Sequence, residues 1–167
     1  MQARHHMIIG AVAASALIPV LGTNSLFFLA GSVLIDGDHY VDYVYRNRFR
    51  NFSIRKMFQY YRLLKEKMTL GWVPISLAHT FEALTLLLIS CVIFNWLWLW
   101  AVFWGALFHF ATDNIYFSVR NIKSRRVVSI IEYIIRRKRM EKRGIQPNRI
   151  YVAVFDELNI SNRKKWE

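Results

Sequence analysis

The chain has 167 residues, enough for one domain and little more, and 54% of them are hydrophobic while only 20% are charged. Two long stretches are almost uncharged, which argues against an ordinary soluble domain. The hydrophobic core of a soluble domain of 167 residues does not need two such stretches. The net charge of +12 is concentrated in two basic blocks, residues 46–67 and 120–143, which directly follow these stretches. This arrangement disfavours nucleic acid as the partner and favours membrane lipids, with anionic lipid headgroups beside membrane spans.

The first apolar stretch, residues 7–35, contains no Asp, Glu, Lys or Arg and is interrupted in its middle. Pro19, Gly22 and the three polar residues that follow Gly22 are typical of a turn and of a new helix cap. We therefore expect two helices, over residues 3–21 and 25–44, each close to the roughly 30 Å needed to cross a bilayer. One long tilted helix is the alternative.

Residues 54–68 follow a different pattern. Apolar side chains recur there at spacings of three and four, at Ile54, Met57, Phe58, Tyr61, Leu64 and Met68. Basic residues fill much of the opposite face. The pattern predicts an amphipathic helix on the membrane surface, and packing onto the protein's own cytosolic face is an equally ordinary explanation.

The second apolar stretch, residues 68–112, has Glu82 as its only charged residue. It is long enough for two spans, predicted over residues 72–93 and 96–117, with tryptophans at the outer turn marking one membrane interface. After it, residues 127–139 predict a short amphipathic helix with a basic end. Residues 150–155 suit either a strand or a short helix.

These elements predict an all-α fold, an integral membrane four-helix bundle with amphipathic surface helices. We expect residues 1–120 to form the membrane-embedded domain, including a basic amphipathic cytosolic segment at 45–70. Residues 121–167 would form a basic cytosolic C-terminal segment. The positive-inside rule then predicts a multi-pass protein of the cell inner membrane with both termini in the cytosol.

Histidine and acidic residues fall at a similar depth on this topology, near the cytosolic ends of the four predicted spans. The candidates are His5, His6, Asp36, Asp38, His39, His79, Glu82, His109 and Asp113. Asp113 follows His109 by four residues and therefore shares its helical face, as Glu82 does with His79 at a spacing of three. Polar groups at this depth are costly unless they are paired or liganded. Imidazole and carboxylate together suit a divalent transition metal, and a bundle core is a usual place for it.

The order of these motifs resembles the membrane-bound metal-dependent hydrolase family, described as YdjM-like or LexA-binding inner-membrane-associated hydrolases. The matching segments are His-Met-Ile-Ile-Gly from His6, Asp-Gly-Asp-His from Asp36, Ala-His-Thr around His79, and His-Phe-Ala-Thr-Asp from His109. The resemblance covers roughly residues 4–118. This chain has Ile35 where the family commonly has proline, and it lacks the family's additional His-Arg-Gly segment.

We therefore expect a metal-dependent hydrolase at the cytosolic membrane face, acting on a phosphoester of a lipid or amphiphile. The expected cofactor is one or two divalent ions, zinc or manganese. The expected metal ligands or their orienting partners are His6, Asp36, Asp38, His39, His79, His109 and Asp113, and the expected catalytic residues are Glu82 and Asp38. The alternative is a non-catalytic, metal-stapled membrane anchor or transporter-like subunit, in which the metal is structural.

Overall fold

The computed structural model describes residues 3–67, 75–119 and 127–158. Within these ranges the chain is helical, with no strand, so the expected all-α class is confirmed. The helices are α1 (Ala3–Ala16), α2 (Ile18–Leu21), α3 (Ser25–Leu34), α4 (Gly37–Arg46), α5 (Ile54–Lys67), α6 (Phe81–Phe94), α7 (Leu97–Val119), α8 (Ile130–Lys142) and α9 (Pro147–Glu157). The ambiguous segment 150–155 is part of helix α9.

The chain divides into two compact units that are discontinuous in sequence. The first comprises Met1–Asp38 and Ser76–Ser124, and the second comprises His39–Ile75 and Arg125–Glu167. The sequence suggested a boundary at residue 120, whereas here the segment after Asp38 belongs with the C-terminal helices.

A turn between α2 and α3 reverses the chain in the first unit. Gly22 has a φ of 55°, a left-handed conformation that glycine adopts without steric cost, and it begins a 3₁₀ turn over Gly22–Asn24. Ser25 reinforces the turn by donating its hydroxyl to the Gly22 carbonyl at 2.8 Å. Helix α1 then packs against α3, so the hairpin predicted at this position is confirmed.

Glycines let the helices of the first unit approach closely. A Cβ atom at Gly31 of α3 would overlap the main-chain carbonyl of Val102 in α7, and one at Gly105 would overlap the carbonyl of Phe28. A Cβ atom at Gly10 of α1 would lie 2.5 Å from the Ser32 hydroxyl. Small residues at such crossings are typical of helix packing in membranes.

Two predicted helices differ from the observed ones. The helix expected over residues 25–44 is broken between Leu34 and Gly37, around Asp36. The helix expected from residue 72 begins instead at Phe81, because Thr80 is extended and caps it by accepting a hydrogen bond from the Ala83 amide at 3.2 Å. His79 therefore lies in a 3₁₀ turn before the helix, and the helical spacing assumed for His79 and Glu82 is wrong.

The second unit has its own hydrophobic core between α4, α5, α8 and α9. It is built from Tyr43, Val44, Met57, Tyr60, Leu64, Met140, Tyr151, Val154 and Phe155. The rings of Tyr60 and Phe155 stack with centroids 4.8 Å apart. The apolar positions of α5 are thereby divided, because Met57 and Leu64 enter this core while Ile54 and Phe58 are exposed.

One helical stretch within the described residues, Ile18–Arg46, is long and apolar enough to cross a membrane by length and composition. About 28% of its apolar window is buried within the protein. The helices His6–Ala16 and Phe81–Phe94 are apolar but shorter. Residues 68–74 and 120–126 of the predicted spans and loops lie outside the described ranges.

Candidate metal centre

Three polar atoms from three separate segments of the first unit converge on one point. The Nε2 atoms of His79 and His109 lie 3.2 Å apart. The Asp36 Oδ1 atom lies 3.2 Å from the first and 3.4 Å from the second. Both histidines are almost fully buried, whereas the Asp36 side chain is 26% exposed. The three atoms form a nearly equilateral triangle.

The break after α3 explains how Asp36 and His109 reach this point together. The Asp36 amide, which would donate to Ser32 if the helix continued, donates instead to the Val33 carbonyl at 3.2 Å. The Ser32 carbonyl oxygen is then 2.6 Å from His109 Nδ1. A carbonyl only accepts, so His109 Nδ1 carries a proton, and Nε2 is the ring nitrogen that can bind a metal at the triangle.

His79 is oriented in the same manner by a carboxylate. Asp38 Oδ2 lies 3.3 Å from His79 Nδ1 and accepts a hydrogen bond from the Ala78 amide at 3.0 Å. When Nδ1 of His79 donates to this carboxylate, Nε2 of the neutral ring is unprotonated and can bind a metal. A histidine that donates its second ring nitrogen to a carboxylate or a carbonyl is the usual arrangement of a metal ligand.

The converging groups fit a divalent metal ion. Two imidazole lone pairs and a carboxylate oxygen repel one another when nothing lies between them, and a cation removes that repulsion. In a tetrahedral site with bonds of about 2.1 Å, ligand atoms lie about 3.4 Å apart. The observed spacings of 3.2–3.4 Å match this value. The His/Asp group can therefore hold a metal ion.

A second group of side chains shares His109. The Nε2 atom of His6 lies 2.9 Å from Asp113 Oδ1, and the other oxygen of Asp113 lies 3.8 Å from His109 Nε2. The His6 ring stacks on His109 with centroids 4.1 Å apart. His6, His109 and Asp113 are all buried and close enough to hold a metal as well. The predicted pairing of His109 with Asp113 on one helical face is confirmed.

The shared histidine limits how the two groups can be used. Its Nδ1 atom is committed to the Ser32 carbonyl, so only Nε2 is available as a ligand. One nitrogen binds one ion in ordinary imidazole coordination. His109 therefore binds one ion, whose other ligands are Asp36 and His79, His6 and Asp113, or members of both pairs.

His39 and Glu82 belong to neither of the two triads that share His109. His39 is the first residue of the second unit, where its ring lies 5.0 Å from Tyr61 and its carbonyl accepts from the Tyr61 hydroxyl at 2.9 Å. Glu82 lies half-buried in the first turn of α6.

Two contributions to the site were missed by sequence reasoning. The Ser32 carbonyl orients His109, and a main-chain group gives no signal in residue types. The glycines at positions 31 and 105 bring α3 and α7 together directly beside Ser32 and His109. A signal for them was present, because Gly105 precedes His109 by four residues and so lies on the same face of α7.

Comparison with known proteins gave no match: no family model, no curated protein and no solved structure is similar to this chain. The resemblance to membrane-bound metal-dependent hydrolases therefore stays a prediction that rests on the motifs.

Proposed function

We propose that this protein is a metal-dependent hydrolase embedded in the cell inner membrane as a four-helix bundle. Its substrate would be a phosphoester of a lipid or amphiphile at the cytosolic face. The observation that supports the proposal best is the convergence of His79 Nε2, His109 Nε2 and Asp36 Oδ1 within 3.2–3.4 Å, with both histidines oriented through their other nitrogens.

The side chains of the site are already oriented for metal binding, and they differ in their exposure. The Ser32 carbonyl and the Asp38 carboxylate contact Nδ1 of His109 and of His79, which orients both Nε2 atoms toward the metal position. The partly exposed Asp36 gives the site an accessible side, which catalysis requires and a closed structural site lacks. A divalent zinc or manganese ion bound there supplies Lewis acidity toward water and a phosphoryl oxygen. Asp38 is assigned here as a positioning residue, and Glu82 is retained as the proposed general base.

Membrane attachment is supported by the exposed apolar surface of the first unit. Helix α1 presents Met7, Ile8 and Val12 with 56–66% exposure, and α6 presents Leu86 and Val92 similarly. Side chains of this kind are costly in water over a continuous surface but are suited to lipid. Tryptophans at the α6–α7 turn, including the stacked pair Trp96 and Trp98, suit the headgroup level of one interface.

A metal-stapled anchor is the second candidate, and the burial of the His6, His109 and Asp113 group favours it. If the ion occupies that group, it is enclosed by protein and lacks an accessible position. The two candidates therefore predict different ligands: Asp36 and His79 for the hydrolase, His6 and Asp113 for the staple.

The test uses full-length protein purified in detergent without chelator. It is assayed with Mn²⁺ or Zn²⁺ against phosphoester, carboxylic ester and amide substrates. Asp36→Asn should reduce turnover to background, because it removes the accessible ligand, while the matched exposed variant Asp156→Asn should retain it. Metal-loaded protein that hydrolyses none of these substrates, and that loses its ion in His6→Ala but not in Asp36→Asn, would establish the staple instead.

A further inference from the structure

We propose that the loop between α4 and α5, together with the first turns of α5, docks onto an anionic lipid bilayer. This inference is independent of the metal chemistry, and it rests on the membrane attachment in the proposed function. The surface consists of four exposed apolar side chains, Phe49, Phe52, Ile54 and Phe58, with arginines among them.

The loop is held in a strained conformation that displays these side chains. Arg48 and Phe49 both have a φ of 59°, in the left-handed region that residues other than glycine rarely adopt. Such a conformation is unfavourable by itself and persists only where its surroundings determine it. Strain of this kind in a rigid loop is commonly found where a surface has a role.

Asn47 determines the loop conformation. Its side chain is fully buried; its Oδ1 accepts from the amides of Arg50 at 2.9 Å and Asn51 at 3.1 Å, and its Nδ2 donates to the Asn51 carbonyl at 2.7 Å. The buried Tyr43 adds a hydrogen bond from its hydroxyl to Asn51 Oδ1 at 2.8 Å. The aromatic side chains that follow are therefore presented by a fixed backbone.

The four apolar side chains project outward although the unit has a core available. Phe49, Phe52, Ile54 and Phe58 are 63%, 59%, 61% and 55% exposed. Ile54 and Phe58 line a shallow groove whose other lining residues are Arg55, Gln59 and Arg62. An apolar surface bordered by guanidinium groups is typical of segments that lie at the headgroup boundary.

Charge and chain continuity identify an anionic bilayer as the occupant. Residues 47–62 contain five Lys or Arg and no Asp or Glu. The segment follows α4, the last helix of the stretch Ile18–Arg46, which by length and composition is apolar enough to cross a membrane. Nucleic acid also binds basic surfaces with aromatic residues, on which its bases stack. The exposed aliphatic side chain of Ile54 offers no such stacking surface.

The test measures the immersion of a label in full-length protein reconstituted into nanodiscs. Cys91 is replaced by Ala, and a spin label is attached at Ser53→Cys, within the exposed loop, or at Asp156→Cys, an exposed position on α9. Relative accessibility to oxygen and to a water-soluble nickel complex reports depth. With phosphatidylglycerol present, we expect the label at position 53 to favour oxygen and the label at position 156 to favour nickel.

The arginines provide the matched variant. Combining Arg48→Gln, Arg50→Gln and Arg55→Gln should lower the docking equilibrium constant roughly 100-fold, since each basic group near an anionic surface contributes about 1 kcal/mol. The label at position 53 should then return to water. A label that favours nickel in both anionic and zwitterionic nanodiscs overturns the proposal.

Two further results also overturn it and separate it from the proposed function. Salt-sensitive binding of a single-stranded oligonucleotide that requires the same arginines, without lipid immersion, assigns the surface to nucleic acid. If alkaline carbonate extracts the protein from membranes, the protein is not embedded in them. That result overturns the membrane attachment on which both proposals rest. If the label is immersed but the protein shows no hydrolase activity, the docking surface is supported. Only the proposed hydrolase function is then contradicted.

Discussion

The Nδ1 atom of His109 lies 2.6 Å from the main-chain carbonyl oxygen of Ser32, which the break after α3 has released from the helix. One local irregularity therefore performs two tasks: it places the Asp36 carboxylate beside His109, and it fixes which ring nitrogen of His109 is available. A continuous helix would satisfy the Ser32 carbonyl internally and leave His109 without this orientation.

Metal content distinguishes the two ligand groups. His109→Ala should lose nearly all bound metal, because both groups require its Nε2 atom. Asp36→Asn should lose most of it if the accessible group is occupied, while Asp156→Asn should match the wild type. Elemental analysis of detergent-purified protein measures this, and His109→Ala protein with undiminished metal would show that the site is misassigned.

Metal stoichiometry follows from the single available nitrogen. We expect titration of chelator-treated protein with Zn²⁺ to saturate at one tightly bound equivalent, since His109 cannot complete both groups at once. Isothermal calorimetry, with His79→Ala as the comparison, measures the number of sites. Two tight equivalents in the wild type would contradict exclusive use of His109.

Asp38→Asn tests the role of a positioning residue. The variant keeps the side-chain shape but weakens the partner of His79 Nδ1, and loss of such partners typically lowers metal affinity 10–100-fold. We expect one ion to bind still, at a higher dissociation constant. A complete loss of binding would make Asp38 a direct ligand, and unchanged affinity would remove it from the site.

Gly105→Ala tests the close approach of α3 and α7. The new methyl group would overlap the Phe28 carbonyl, which cannot move without displacing the α3 backbone. We expect a loss of about 1–3 kcal/mol in stability together with weaker metal binding. Gly37→Ala is the control, because no atom lies within 4 Å of its Cβ position. Thermal unfolding in detergent compares them, and equal melting temperatures would contradict the packing.

Two tyrosines in the core of the second unit are expected to respond in opposite directions when their hydroxyls are removed. The Tyr60 hydroxyl is buried and has no hydrogen-bond partner within the described residues, so Tyr60→Phe should raise stability by up to about 1 kcal/mol. Tyr43→Phe removes the hydrogen bond to Asn51 and should lower it by about 1 kcal/mol. Thermal unfolding gives the sign of each change.

The buried hydroxyl of Tyr60 also predicts that the stability of the protein depends on pH in the alkaline range. Burial raises the pKa of Tyr60 well above its usual range. The folded state then holds a proton that the unfolded state releases, so the contribution is fully present below pH of about 10 and is lost as the pH rises further. Tyr60→Phe should lose less stability than the wild type above pH of about 10, and an identical decline would show that Tyr60 ionises freely.

Much of the helical pattern could be predicted because it follows from local chemistry. The turn at Gly22 was indicated by turn-forming residues, and the α6–α7 turn lies between the two predicted spans, at Asn95, which has a φ of 48°. The face shared by His109 and Asp113 follows from helical periodicity alone. These features depend on residues within about one turn of each other.

Features that depend on tertiary contacts were not predictable in the same way. The sequence suggested one apolar face on α5, but the structure divides it, because only the partner helix decides that Met57 and Leu64 are buried while Phe58 is not. Helix α6 begins later than hydrophobicity alone predicts, because Thr80 caps it. The position of His39 in the second unit likewise follows from contacts that periodicity does not report.

The oxygen that orients His109 belongs to the backbone, so its presence does not depend on the side chain at position 32. Any residue small enough for this buried position supplies the same carbonyl, and the number of residues between Ser32 and Asp36 sets how far that carbonyl lies from the helix break. Inserting or deleting one residue in this short interval would therefore be more damaging than most substitutions within it. The geometry of the site therefore depends on the number of residues between Ser32 and Asp36 as well as on their identity.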